Sequence, residues 1–332
     1  MAVVILYNTP TPTASAGDQV WRESDEGVLP AVDAVAAALD VLGVPHRAAG
    51  VLRLEDIPGA LRESSGAIVF NLVERLDGRI SDFNMVPAVC EALRHPYTGN
   101  PSDCLSLTLD KWLTKARLGA WGVDTPAGFV VPVGATVDPR VAPPPPLMVK
   151  PLQSDGSEGI DAGSVVADAA GALAAAVRRV HERCGQPALV EPYIDGREFN
   201  LSVYERAGAP VVLPVSEIDF SLFPAGRPHI VDYEVKWIPG TIPGHVSPRR
   251  CPANVDEPLA ARLRALALRA WDACGCRGYA RVDMRVDRAG RPYVLEVNAN
   301  PDISPKAGLP AALAAARISF PEFIQEILPR PA

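Results

Sequence analysis

Cysteine is scarce and unpaired in this chain: six residues (Cys90, Cys104, Cys184, Cys251, Cys274, Cys276) with no Cys-x-x-Cys couple among them. Cys274-Gly275-Cys276 has no second pair to complete a zinc site, and no disulfide framework is indicated. Free thiols fit a reducing compartment, so a cytoplasmic location is expected. Long hydrophobic runs are missing too. The longest, such as Val3–Tyr7, fall far short of the roughly 20 residues that span a bilayer. The N-terminus has no basic region and no export-type cleavage pattern, so neither a membrane partner nor a signal peptide is expected. Basic charge is not in excess: the net charge of −7 argues against nucleic acid as the main partner. Two phosphate-binding turns are also absent. Without Gly-x-Gly-x-x-Gly after a strand, a Rossmann-type dehydrogenase is set aside, and without a Gly-Lys-Ser/Thr ending no P-loop is indicated.

What is present is the composition of a globular enzyme-sized protein, 48% hydrophobic and 21% charged. At 332 residues the chain exceeds what one core supports, so two or three packed domains are expected. Its 34 prolines outnumber its 26 glycines, which implies many rigid turns, and no internal repeat is found. Strand and helix patterns alternate at the start: strand at Val3–Tyr7, helix over 28–42, strands within Val44–Leu54 and Ala67–Phe70, helix at Met85–Leu93. That order predicts a parallel α/β domain to about residue 104. Polar residues Asn71 and Glu74 follow its third strand, at the edge where open parallel sheets bind ligands.

The most informative stretch is 279–305. It reads as two strands joined at Arg288-Ala289-Gly290. Val282, Met284 and Val286 alternate with Arg281, Asp283, Arg285 and Asp287, and Leu295 and Val297 oppose Glu296 and Asn298. If both apolar faces meet one core, Arg281, Asp283, Glu296 and Asn298 gather on the other side. Two carboxylates beside an amide oxygen suit Mg²⁺ held jointly with phosphates, with Mn²⁺ as an alternative. The plainer reading is a solvated hairpin face.

Further pieces are weak singly. Lys111 and Lys115 share a face of a helix at Asp110–Leu118, in isolation a surface stripe. Leu147–Pro151 is a strand carrying Lys150, followed by a Gly/Ser loop at 152–160 able to present N–H groups to phosphate. A helix is expected over Ala169–Cys184, then a strand at 188–194 with a lone Glu191, which either reads a base at the strand edge or is solvated. A strand is expected at Arg197–Val203, with more sheet at Val211–Val215. Residues 219–248, including Lys236, lack periodicity and read as a long active-site loop. Pro258–Cys274, Pro310–Ala316 and Phe320–Leu328 read as helices.

In this order the parts resemble the ATP-grasp superfamily and, within it, the D-alanine–D-alanine ligase branch. The resemblance runs from about Phe70 to Leu309. It is carried by Pro96-Tyr97-Thr98-Gly99, Asp110-Lys111 with Lys115, Val149-Lys150-Pro151, Asp232–Trp237, Arg281-Val282-Asp283 and Leu295–Asn298. It implies an α/β fold, α+β in its ATP-grasp part, of three domains (1–104, 105–190, 191–332) with ATP between two sheets. It implies Asp283, Glu296 and Asn298 as Mg²⁺ ligands, and Lys111, Lys150 and the mobile-loop Lys236 on phosphates. Ser157 would lie in the phosphate-covering loop, Glu191, the Ile194 backbone and Leu295 around adenine, and Glu198 on the ribose. Arg281 would steady an acyl phosphate. The activity implied is an ADP-forming carboxylate–amine ligase acting on small amino-acid-like substrates, in a homodimer formed through the N-terminal domain.

The departures fall at the substrate end. Where the family has His-Gly-x-x-Gly-Glu-Asp-Gly, this chain has Asn71–Gly78, and the loop has Asp155-Gly156-Ser157 in place of Gly-Ser-Ser. The family's Ser-Leu pair, which receives a substrate carboxylate, falls near Ala307-Gly308, and of its N-terminal glutamate segment only Glu26 is a candidate. Asn71, Glu74, Asn300 and Asp302 are therefore the expected substrate residues, in a pocket not built for two D-alanines. The alternatives are a true D-alanine–D-alanine ligase with an unusual pocket, or a nucleotide-binding regulatory protein without turnover.

Overall fold

The structure, a computed structural model, describes residues 2–10, 21–64, 66–138, 140, 142–167, 171–242 and 249–329. Strand β1 (Val3–Asn8) is almost wholly buried and precedes α1 (Arg22–Glu26), α2 (Leu29–Val41), β2 (His46–Val51), α3 (Asp56–Arg62) and β3 (Ile68–Leu72). The three strands form a parallel sheet in the order β2-β1-β3. Continuous apolar runs such as Val3–Leu6 suit a strand covered on both faces. Helices α4 (Met85–Ala92), α5 (Ser102–Leu109) and α6 (Lys111–Ala120) follow. Asp110 caps α6, its carboxylate accepting from the Trp112 and Leu113 N–H groups at 3.0 Å each, which fixes the start of the helix that carries both lysines.

A four-stranded antiparallel sheet comes next, from β4 (Phe129–Val131), β5 (Leu147–Pro151), β6 (Val165–Val166) and, after α7 (Ala172–Cys184), β7 (Ala188–Pro192), ordered β4-β7-β5-β6. Leu147, Val149 and Val190 turn to the core under α7. The opposite face carries Met148, Lys150 and Glu191. Residues 169 and 170 of the expected helix Ala169–Cys184 lie outside the described residues.

The third sheet contains β8 (Gly196–Arg206), β9 (Ala209–Val212) and β10 (Ser216–Ile218). After α8 (Tyr233–Trp237) come β11 (Arg249–Arg250), α9 (Glu257–Cys274), β12 (Tyr279–Asp287) and β13 (Pro292–Asn298). Its order is β11-β10-β8-β12-β13, with β9 added on β8. Helix α9 packs beneath it, joining Leu263, Ala267 and Trp271 to Leu201, Val282, Met284 and Val297. Helices α10 (Gly308–Ala315) and α11 (Phe320–Ile327) close the described chain; α11 packs against α2, both pack against β8, and their apolar residues share one core with Val3 and Ile5, which ties the first and last parts together.

Several expectations need correction. Of the sheet foreseen at Val211–Val215, only Val211 and Val212 lie in a strand, β9, and residues 213–215 connect it to β10. The aperiodic stretch 219–248 is not all loop. Asp232 caps α8 within it, accepting from the Val235 N–H at 2.9 Å, and the helix carries Lys236; residues 243–248 lie outside the described residues. Sequence reading also passed over α1, α3, α5 and β4, all short.

Candidate active site

Register builds the site. Across β12 and its neighbours the Cα partners are Asp283 with Asn200 and Glu296, Arg281 with Ser202 and Asn298, and Arg285 with Glu198. The polar face read from the hairpin therefore exists and extends onto β8. The turn closes as read, with Gly290 at φ 81°, a conformation side chains disfavour, and the Asp287 carboxylate accepting from the Ala289 and Arg291 N–H groups. One detail differs. A β-bulge between Asp283 and Met284 pairs Met284 with Val294, leaving Leu295 as the extra residue. The bulge re-aims a side chain that strict alternation sends to the core. Leu295 lines the cavity instead.

That cavity, of about 380 Å³, lies between the second and third sheets. Met148, Lys150 and Glu191 line it from one side, and Glu198, Asn200, Asp283 and Glu296 from the other. Loop 154–159 and α8 border it and are tied together. The Ser157 hydroxyl donates to the Val231 carbonyl at 2.7 Å, and the Trp237 indole N–H donates to the Gly156 carbonyl at 2.7 Å. Lys236 projects from α8 into the same space.

Lys111 and Lys115 are not a surface stripe. They are 5% and 7% exposed, and Lys150 is 6% exposed. Glu191, 2% exposed, receives Lys115 on one carboxylate oxygen at 2.6 Å and Lys150 on the other at 2.7 Å. Burial works against the charge of Lys150, but Glu191 and then Glu296 outweigh it and hold the ammonium above its ordinary range. Burial pushes Glu191 up, and Lys150 and Lys115 more than reverse this. Lys111 donates to the Ser154 carbonyl at 2.5 Å and stands 3.8 Å from the Glu296 carboxylate. Lys115 was missed as a site member because its partner Glu191 is distant in sequence.

At the metal-type cluster, Arg281 grips Asp283 through both oxygens at 2.8 and 2.7 Å, and Asn200 donates to the same carboxylate at 2.7 Å. The Asn298 amide oxygen accepts from the Asn300 N–H at 3.0 Å and keeps a second lone pair. Among the described residues no three His, Cys, Asp or Glu side chains group to hold a metal. Two carboxylates with one amide oxygen form a hard-oxygen set that is incomplete by itself, which fits Mg²⁺ arriving with phosphate oxygens. At the other end Glu198 is paired with Arg285 at 2.7 Å, and Arg285 also donates to the carbonyls of Ile194, at 2.9 Å, and His229. Arg285 stacks under Tyr193, a role its place in an alternating charged strand did not reveal.

A narrow recess of about 30 Å³ opens beyond Arg281, Lys236 and Asp302, which it shares with the larger cavity. Glu74 and Asn300 line it; Asn71 does not, its side-chain oxygen accepting instead from the Val73 N–H at 3.2 Å. Arg75, unread in the sequence, is buried beside it against Glu158 at 2.5 Å. Burial, then Asp155 and Asp302, push the Glu74 carboxyl up to about 8 from an ordinary 4.5. Between pH 4.5 and 8 the folded protein thus holds a proton that the unfolded chain releases, so this group makes stability fall as pH rises through that window and level off above it. Glu74→Gln is expected to gain on the parent across that window, by at most about 1.4 kcal/mol per pH unit. Urea unfolding at pH 5 to 8.5 checks this; a difference independent of pH counts against it.

Residues 143–329 match the family described as D-ala D-ala ligase C-terminus. The chain is 35% identical to the D-alanine–D-alanine ligase of Gloeobacter violaceus over 301 residues, 90% of this chain and 92% of that protein. It is 36% identical over 273 residues to uncharacterized protein y4sG of Sinorhizobium fredii, covering 82% of this chain and 76% of that one. The crystal structure of D-alanine–D-alanine ligase from Bacillus anthracis superposes with a TM-score of 0.74 at 21% identity, covering 98% of this chain and 96% of that one. The chain belongs to the D-alanine–D-alanine ligase family of the ATP-grasp fold and is an ATP-dependent ligase that forms C–N bonds. Among the described residues no helix is long and apolar enough to cross a membrane.

Proposed function

We propose that the protein joins a carboxylate to an amine, with ATP driving the reaction through an acyl phosphate, on small amino-acid-like substrates other than two D-alanines. The observation that carries this is the arrangement of Lys150 and Lys236 with Asp283 and Glu296 around one cavity, with Lys111 3.8 Å from Glu296 and, beyond Arg281, a carboxylate-lined recess that Asn298 also lines. In this reading the triphosphate lies along the lysines under loop 154–159, with the base near Tyr193, Ile194 and Leu295 and the ribose near Glu198. Asp283, Glu296 and Asn298 would hold Mg²⁺, or Mn²⁺, which supplies charge neutralisation for phosphoryl transfer.

The substrate carboxylate takes the γ-phosphoryl group and ADP leaves; Arg281 and Lys236 offset the negative charge that accumulates. The amine then attacks the acyl carbon, its proton is taken up, and phosphate departs. Glu74 lies with Asp302 in the recess; burial and its acidic neighbours favour its protonated form below about pH 8, so only its ionised fraction can accept that proton and this route should strengthen as pH rises towards 8. The rebuilt residues Asn71–Gly78 and Ala307-Gly308 support acceptance of substrates other than D-alanine, because a site made to hydrogen-bond one group rejects substrates lacking it. Division at residues 104 and 190, a homodimer through the N-terminal part, and a cytoplasmic location belong to the same reading.

The test is phosphate release from ATP and Mg²⁺ with pooled amino acids, each pool tested with and without the others. Release that requires both a carboxylate and an amine is the expected outcome. Tight nucleotide binding without release across the panel contradicts turnover, and fast release with D-alanine alone contradicts the substrate assignment.

A further inference from the structure

Strand β11 places two arginines side by side, and alternation sends them opposite ways. Arg250 turns outward to Asp219 at 2.8 Å. Arg249 turns inward, lining the large cavity with Ser304, Lys306 and Ala307. Its Nη1 donates to the Lys306 carbonyl at 3.2 Å, while its buried Nε meets no partner among the described residues. No described carboxylate pairs with it, and the neighbouring residues 243–248 (Pro-Gly-His-Val-Ser-Pro) include no Asp or Glu. Arg281, which lines the same cavity, spends its own charge on Asp283. Burial first, then Arg281, depress the Arg249 guanidinium below its ordinary range, and Asp302 and Asp283 offset this only in part. A half-buried guanidinium with an orphaned buried Nε carries a desolvation cost, and a bidentate anion relieves that cost. Gly308 stands beneath it, where an added Cβ would meet the guanidinium carbon at an ordinary contact distance of 3.6 Å.

We propose that Arg249 is a specificity residue that binds a substrate carboxylate the reaction leaves untouched. The group phosphorylated must sit at Arg281 and Lys236, so an anion at Arg249 is a second one, carried by the amine substrate or by a dicarboxylic donor. This rests on the ligase reading for the identity of the cavity's occupants.

The experiment measures binding, not only turnover. Protein saturated with Mg²⁺ and a non-hydrolysable ATP analogue is titrated with free amino acids of both hands and with their carboxamides, by calorimetry. The expected result is at least one acid bound about tenfold or more tightly than its amide, a ratio lost in Arg249→Gln and partly kept in Arg249→Lys, with nucleotide affinity unchanged. Equal binding of acid and amide, a ratio surviving in Arg249→Gln, or an effect confined to the nucleotide each overturns the assignment. So does the absence of any binding at millimolar concentration. Acceptor amides and paired mono- and dicarboxylic donors in the turnover assay tell which substrate carries the group. Carboxylate preference without phosphate release keeps Arg249's role and removes the ligase reading; release from substrates with no spare carboxylate does the reverse.

Discussion

Glu296→Gln is expected to lower kcat by about 10²–10³-fold or more while leaving the fold intact, the scale seen when one preorganised electrostatic group at a charged transition state is removed. Glu296 is cross-strand from Asp283 and 3.8 Å from Lys111, so the amide removes the charge that both a cation and the lysine rely on. The substitution is close to isosteric, and Lys111 keeps its bond to the Ser154 carbonyl, so folding should survive. Steady-state phosphate release, with thermal unfolding as the check on folding, measures it. Activity within a few-fold of the parent would return the hairpin to a solvated face.

The second large effect is on stability. Glu191→Ala strips two buried lysines, Lys115 and Lys150, of the carboxylate that both contact. Lys115 retains only the Pro126 carbonyl, at 2.9 Å. Breaking a buried pair by removing one partner costs about 3–5 kcal/mol, far more than an intact pair contributes, because an uncompensated charge remains. Urea denaturation of the nucleotide-free protein should show a loss in that range. The conservative Glu191→Gln should lose less, since its amide oxygen still accepts from one lysine. A loss under about 1 kcal/mol would mean the lysines find water or move out, against the packed arrangement around Glu191.

These two residues illustrate what the sequence made readable. Glu296 was legible because period-two alternation and a glycine turn are local signals, and pairing β12 with β13 leaves its polar face no other place. From the residues themselves Glu191 was visible as a lone acid near a strand end, and the resemblance put it beside adenine, not between two lysines. Its role depends on α6, which reaches it through tertiary packing, and nothing local in Lys115 distinguishes a buried ammonium from a surface one. Leu295 was assigned to the core by alternation, yet a bulge reverses one position, and bulges leave no periodic trace. Arg249 and α8 sit in a Pro- and Gly-rich stretch where periodicity says nothing. The order of helices and strands followed from hydrophobic pattern; the short helices α1 and α3 and the three-residue strand β4 are held by their neighbours more than by their own sequences.

The substrate end was the least legible part for a chemical reason. Phosphates and a divalent cation demand fixed donor types, so lysines and carboxylates announce them. Small amino-acid-like molecules are recognised by a handful of polar contacts that many residue types can supply. Glu74, Asn300 and Asp302 reach one recess, while the side-chain oxygen of Asn71, equally polar and three residues from Glu74, accepts from the Val73 N–H.

The most direct test of the central claim follows oxygen. With a substrate whose carboxylate carries ¹⁸O on both oxygens, transfer of the γ-phosphoryl group makes one of them the bridge of the acyl phosphate, and attack by the amine sends that oxygen out with phosphate. Mass spectrometry of the released phosphate should then find one ¹⁸O per turnover and the other in the amide product. Unlabelled phosphate, or label appearing in AMP, would contradict an acyl-phosphate ligase.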